Sequence, residues 1–311
     1  MIRHATLLLA LAVTATTITA AEPEFAVVGY LPSYSISRFD PANATHYTDI
    51  ILFSLEPNAD ASIDISGVPR KAVDFIHSLA DTHSHLRLAV SIGGWGKSKE
   101  FATIAASPEL RATLIKNITS FCQSNQLTGI DYDWEHPKTA EQRDSYTALI
   151  NDTTAAFHPR GWRVTAAIAA WQALDSNFAE KLDRLHVMAY DYGGKHSTLQ
   201  HATTAVDSLI ALKIPANKIC LGIPFYGRQI DDRSKALSYA NIVKRHPPAS
   251  TASDESAGYY FNGPATVAAK TNLALSRKLS GVMIWEIGQD APVRHSLATE
   301  ISTAIQAASS N

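Results

Sequence analysis

Thr128-Gly129-Ile130-Asp131-Tyr132-Asp133-Trp134-Glu135-His136-Pro137 is the stretch on which the reading of this chain turns. In a strand, successive side chains point to opposite faces, so Asp131, Asp133 and Glu135 share one face while Ile130, Tyr132 and Trp134 share the other. The apolar face must be covered. The acids then line either solvent or a closed interior, where desolvation and mutual repulsion drive their pKa values apart. The exposed side of an antiparallel strand would show the same alternation. Against that stand Gly129 before the row, Pro137 after it, and Trp134, which needs a deep pocket that an edge strand does not offer. Clustered acids could also hold Mg²⁺ or Ca²⁺, and the stretch alone leaves that open.

Working outward, short and nearly continuous apolar runs recur: Phe25–Leu31, Ile50–Leu55, Leu86–Ile92, Gly129–Asp133, Arg163–Ala170, Leu185–Tyr190, Ile219–Pro224 and Gly281–Trp285. Such runs mark strands covered on both faces. Helical patterns fill most gaps, at Pro69–Asp81, Pro108–Gln123, Ala140–Phe157, Leu199–Leu212 and Pro264–Leu279, and Val293–Ala308 follows the last run. Strands alternating with helices imply parallel pairing, and eight such units imply a single (β/α)8 barrel, an α/β fold, over residues 22–311. An open doubly wound sheet would place a glycine-rich phosphate turn after its first strand, and Gly29-Tyr30-Leu31-Pro32 is not one.

In a barrel, function sits at the C-terminal ends of the strands. The residues there are Tyr30; Phe53 and Ser54; Ser91 with Gly93, Gly94 and Trp95; the three acids; Trp171; Tyr190-Asp191-Tyr192; Tyr226 with Arg228; and Trp285-Glu286. Singly, each aromatic is expected in a core. Gathered at one end among polar groups, they suit sugar rings, whose apolar faces stack on aromatic planes.

The central stretch resembles the Asp-Gly-x-Asp-x-Asp-x-Glu signature of glycoside hydrolase family 18, matching at Gly129, Asp131, Asp133 and Glu135, with Thr128 where the family usually has Asp. Ser91-Ile92-Gly93-Gly94 is similar to the motif of the family's third strand, and Met188-Ala189-Tyr190-Asp191 to that of the sixth. Gly222 to Arg228 resembles the seventh, and Gly281 to Glu286 the eighth. Alanine and Trp171 close the fifth strand where relatives often carry proline. The connection between the last two strands, about 56 residues from Phe225 to Ser280, leaves no room for the α+β insertion of some relatives, which predicts a shallow, open groove holding a helix or two at its side.

The resemblance implies a secreted chitinase acting on N-acetylglucosamine polymers by a retaining, substrate-assisted route. It makes Glu135 the general acid, with Asp133 holding the acetamido N–H and Asp131 paired with Asp133 so that one of the two carries a proton. Burial beside Trp285 and Asp133 would raise the pKa of Glu135. Tyr190 would meet the acetamido carbonyl, and Trp285 would lie under the sugar. Asp191, Tyr226, Arg228, Phe53, Met188 and Gly94 are implied as substrate contacts, Tyr30 and Ser91 as supports of Asp131, and Trp95 as a platform for a leaving-side sugar. No cofactor and no metal are called for, and the expected state is a monomer. The same chemistry on N-glycan cores or peptidoglycan stays open, as does a lectin that kept the barrel and lost catalysis.

Composition limits the alternatives. The chain has 311 residues, 46% hydrophobic and 18% charged, enough for one large core. Residues 1–21 run from a basic start at Arg3 through an apolar stretch to Thr19-Ala20-Ala21, the pattern of a secretory signal peptide and too short to span a bilayer. Its removal leaves a net charge of about −3, and no basic cluster points to nucleic acid or an anionic membrane. Cys122 and Cys220 fall in units on opposite sides of the barrel and are expected not to be bonded. Gly96-Lys97-Ser98 mimics the end of a phosphate loop, but Ser91 stands where its first glycine belongs. His83, His85, His196 and His201 lack ligand spacing and are expected at the surface. Asn43, Asn117 and Asn151 begin N-glycosylation triplets short enough to arise by chance.

Overall fold

The computed structural model describes residues 25–172, 174 and 176–310, so the segment 1–21 lies outside the described residues. Eight parallel strands close on themselves: β1 (Ala26–Pro32), β2 (Asp49–Pro57), β3 (Arg87–Gly93), β4 (Gly129–Asp133), β5 (Arg163–Ala169), β6 (Arg184–Met188), β7 (Ile219–Pro224) and β8 (Gly281–Trp285). Each pairs with its sequence neighbour, and β1 pairs with both β2 and β8, which completes the barrel. The expected single (β/α)8 barrel is the observed fold. Among the described residues, no helix is long and apolar enough to cross a membrane.

The two-residue alternation separates two cores. Outward-facing Ile130, Tyr132 and Trp134 join a large cluster between the barrel and its helices. There Tyr132 reaches Thr153 Oγ1 at 2.9 Å on the helix Ala140–Phe157. Inward-facing Ala26, Val28, Tyr30, Ile51, Cys220 and Met283 form a separate small cluster on the barrel axis. Cys122 and Cys220 are both buried, unbonded thiols.

Helix ends follow local chemistry. The last helix begins at Leu297 rather than Val293 because Ser296 caps it, accepting from the Thr299 N–H at 3.2 Å. Asp290 completes the cap by accepting from the N–H groups of Leu297 and Ala298.

At the floor of the barrel, opposite the strand C-termini, the Asp49 carboxylate accepts from Arg87 at 3.1 Å, Arg163 at 3.3 Å and Arg184 at 3.1 Å. Burial alone would raise its pKa, but Arg184 and Arg87 outweigh that and hold it below the usual carboxylate value.

The connection between β7 and β8 holds two helices, Tyr239–Arg245 and Pro264–Ser276, as expected, and adds an antiparallel four-stranded sheet built from Tyr226–Gln229, Ala236–Ser238, Glu255–Ser256 and Tyr259–Tyr260. This is a small appendage, and it rises as a wall beside the barrel mouth.

Candidate active site

The strand C-termini surround a cavity of about 1200 Å³. Phe53, Met188, Tyr190, Trp285 and Tyr30 line its base, and Glu135 and Asp133 open into it. Arg228, Arg233, Ala236 and Leu237 of the appended sheet form one side, so the groove is walled on that flank rather than shallow. Trp95, Trp171 and Tyr34 stand on its rim with 84%, 68% and 66% of their surface exposed.

The acids descend in burial along β4. Asp131 is fully buried and surrounded by donors: Tyr30 Oη at 2.8 Å, Ser91 Oγ at 3.2 Å and Thr165 Oγ1 at 2.6 Å. His186 Nδ1 lies 2.8 Å from Tyr30 Oη and 3.1 Å from Asp131 Oδ1. Because Tyr30 gives its one hydrogen to Asp131, the shared proton between tyrosine and imidazole belongs to His186. Asp133 differs: its Oδ1 is buried with no partner. Burial, then the charges of Glu135 and Asp131, raise its pKa well above the carboxylate range.

Glu135 lies just past the strand. Burial, followed by the negative charge of Asp191, raises its pKa to about 7, while the Trp95 backbone N–H pulls the other way.

Asp191 is the best-anchored acid of the group. Arg228 donates to both of its oxygens, Nη2 to Oδ2 at 2.7 Å, and Tyr226 Oη donates at 2.6 Å. Burial would raise its pKa, yet the bonds from Arg228 and Tyr226, with the His196 ring close by, hold it well below the usual range. His196 therefore is no surface residue: it is fully buried, with Nδ1 3.6 Å from Asp191 and its ring 5.1 Å from that of Tyr226. Next to it, fully buried Lys270 donates to the carbonyl and hydroxyl oxygens of Ser197 and to Asn262 Oδ1 at 2.7–2.9 Å, and burial pushes its pKa down to about 7.

Ser91 is fully buried on Asp131, the support it was expected to be, whereas Gly94, expected as a substrate contact, lies behind the cavity as a spacer. Gly94 has φ +101°, donates its N–H to the Asp133 carbonyl at 2.7 Å, and any Cβ would meet the Phe53 ring at 2.2 Å. Ser98, dismissed with the phosphate-loop mimic, pins the acid segment: its hydroxyl donates toward the carbonyls of Gly94 and Asp133, and it accepts from the Glu135 N–H at 3.0 Å. Thr165 and His186 were also missed, although both fall on the inward parity of their strands, His186 in step with Met188 and Tyr190. Among the described residues, no three His, Cys, Asp or Glu side chains gather as a metal would require.

The (β/α)8 barrel and its acid-bearing aromatic cleft at the C-terminal mouth define the class, a barrel with an active-site arrangement suited to sugars. The chain belongs to the glycosyl hydrolases family 18, whose sequence model matches residues 26–290. It is 24% identical to Probable chitinase 2 of Drosophila melanogaster over 83% of this chain and 68% of that protein. It spans from 8% to 68% of the length of the curated relatives it matches. Among solved structures, a chitinase from Bacteroides thetaiotaomicron superimposes with a TM-score of 0.82 at 23% identity, covering 90% of this chain and 96% of that one. A chitinase-like agglutinin from Robinia pseudoacacia superimposes at 0.78 with 22% identity, covering 89% and 98%. At such identities these structures speak to the fold.

Proposed function

We propose that this chain is an exported hydrolase that cleaves β-1,4 bonds between N-acetylglucosamine units with retention of configuration, residues 1–21 serving as its secretory signal. The observation that carries the reading is the pairing of Glu135, half-proton-loaded near neutrality at the cavity mouth, with Asp133, whose buried Oδ1 has no partner in the protein. That oxygen is the acceptor an acetamido N–H would meet. The Tyr190 hydroxyl, whose hydrogen-bond contact among the described residues is Met283 Sδ at 4.0 Å, stands ready for the acetamido carbonyl.

In the first step Glu135 gives its proton to the glycosidic oxygen while the acetamido oxygen attacks C1 from the opposite side. The C1–O bond breaks, and an oxazolinium ion forms. In the second, Glu135 as carboxylate takes a proton from water, which attacks C1 and reopens the ring. Two inversions give net retention. Asp133 holds the amide arm throughout, and Asp131, fixed by Tyr30, Ser91 and Thr165, sets the charge beneath it.

The test sets chitin oligomers, an N-glycosylated protein and peptidoglycan side by side with the purified chain. Shortening of the chitin oligomers is expected, with an alkaline limb near pH 7, because the acid must be protonated to act. Release from the glycoprotein or peptidoglycan alone would move the same chemistry to another substrate. Binding of all three without product would point to a lectin instead.

A further inference from the structure

Lys270, on the helix Pro264–Ser276 that precedes β8, is fully buried, and no step of the reaction uses it. Burying an ammonium is costly, and a methionine of similar length would fill the space without that cost, so packing does not account for the lysine. Its hydrogen bonds converge on one place. Nζ donates to the Ser197 carbonyl at 2.9 Å, to Ser197 Oγ at 2.7 Å and to Asn262 Oδ1 at 2.7 Å. Asn262 Nδ2 also donates to the Ser197 carbonyl at 2.7 Å, which fixes that amide with its oxygen toward the lysine. Ser197 Oγ gives its own hydrogen to the Ala189 carbonyl at 2.9 Å. The oxygens facing Nζ therefore only accept, and the ammonium form, with three hydrogens, is the one that satisfies them. Asp254, the carboxylate that acts on Lys270 from a distance, is itself bonded to the Gly263 N–H at 2.8 Å and Thr266 Oγ1 at 2.6 Å.

Residues 189–197 leave the end of β6 and return, and the bond from Ser197 to Ala189 closes that loop on itself. Within it, Tyr190, Asp191 and Tyr192 line the cavity. Asp191 has clamps of its own in Arg228 and Tyr226. Tyr190 is held differently: its ring lies edge-on to that of Tyr226, centroids 6.2 Å apart, and over Gly222, where a Cβ would come within 3.0 Å of it. The Ala189 carbonyl belongs to the peptide that carries Tyr190. We propose that Lys270 is a positioning residue for Tyr190: its ammonium holds Ser197, Ser197 holds the Ala189 carbonyl, and that peptide aims the Tyr190 hydroxyl at the acetamido carbonyl. The proposal rests on the contact given to Tyr190 above.

The test is a double-mutant cycle on a chitin oligosaccharide at pH 6, where Lys270 keeps its third hydrogen and Glu135 its proton. Rates are referred to folded protein, measured by circular dichroism. Lys270→Met keeps the stem and removes the donors, and should lower kcat about tenfold with KM within about threefold. Tyr190→Phe removes the hydroxyl being aimed and should itself lower kcat by about tenfold or more. Adding Lys270→Met to Tyr190→Phe should then change kcat by less than about twofold, because nothing is left to aim. A lysine that merely supports the fold would lower both backgrounds alike. Equal losses in the two backgrounds, or an unchanged kcat in Lys270→Met alone, overturn the proposal. Ser197→Ala cuts the link to Ala189 with less disturbance, should show the same pattern, and replaces Lys270→Met in the cycle if that variant does not fold. Tyr190→Phe separates the two levels. If it is impaired while the cycle shows no coupling, only the role of Lys270 falls. If it turns over at the wild-type rate, the contact assigned to Tyr190 falls and takes this proposal with it.

Discussion

Glu135→Gln should abolish turnover of a chitin oligosaccharide, with kcat lower by about 10³-fold or more and sugar binding within a few fold. The amide has nearly the shape of the protonated carboxyl but no proton to give. The loss is therefore confined to the transition state, where charge builds on the leaving oxygen. The fold should be unaffected, because Glu135 lies past the end of β4 and its backbone is held by the Ser98 hydroxyl, not by the carboxyl. Oligosaccharide binding by calorimetry alongside initial rates checks both halves. Equal rates in variant and wild type would contradict the assignment.

The largest effect on stability is expected at the other end of the barrel. Asp49→Asn leaves Arg184, with only 10% of its side chain exposed, without this counter-charge and takes the same carboxylate from the more exposed Arg87 and Arg163. Breaking a buried ion pair by removing one partner costs about 3–5 kcal/mol. The partial exposure of two of the arginines places this case near about 2–3 kcal/mol. The sign follows from the depressed pKa of Asp49. Its contribution is present above the unfolded value of 3.8 and is lost as pH falls through the lower folded value. Denaturant unfolding at pH 7 should show the loss, and at pH well below 3 the gap between variant and wild type should close. Because Asp49 sits on the barrel floor, kcat of the folded variant should be unchanged. A difference below about 0.5 kcal/mol at pH 7 would mean that the arginines are held by solvent rather than by this carboxylate.

What the sequence revealed, and what it hid, follows from how each feature is encoded. The eight strands are legible because a parallel barrel strand is covered on both faces and its apolar run is short and unbroken. The acids on β4 are legible for a different reason: strict alternation put Asp131, Asp133 and Glu135 on one face, and closure of the barrel made that face the interior. The appended sheet was invisible. Its strands are two to four residues long, too short for any periodicity.

The remaining omissions share one cause, that burial of a polar residue cannot be read from its type. His196 reads as a surface residue by prior, yet Tyr226 and Tyr260 pack its ring beneath Asp191. His186 and Thr165 required following inward parity along β6 and β5 as closely as along β4. Gly94 and Ser91 were found by motif, Gly94 as a ligand contact and Ser91 as a support of Asp131. Close packing makes them spacer and support: one lets Phe53 approach, the other fills the hydrogen-bonding shell of Asp131. The chain's own departure, Thr128 in place of an acid, lies before β4 at the barrel floor, where its N–H donates to the Leu88 carbonyl at 2.9 Å. That is the end remote from the cavity.

The most direct test of the central claim is the anomeric form of the first product. When an N-acetylglucosamine oligomer is hydrolysed and followed by proton NMR from the earliest seconds, the new reducing end should appear as the β-anomer. It should then drift toward the α/β mixture as it mutarotates. Retention follows from attack by the sugar's own acetamido oxygen and reopening by water, with Glu135 serving as acid and then base. Appearance of the α-anomer first would mean a single direct displacement by water, and the roles given to Asp133 and the acetamido group would be wrong.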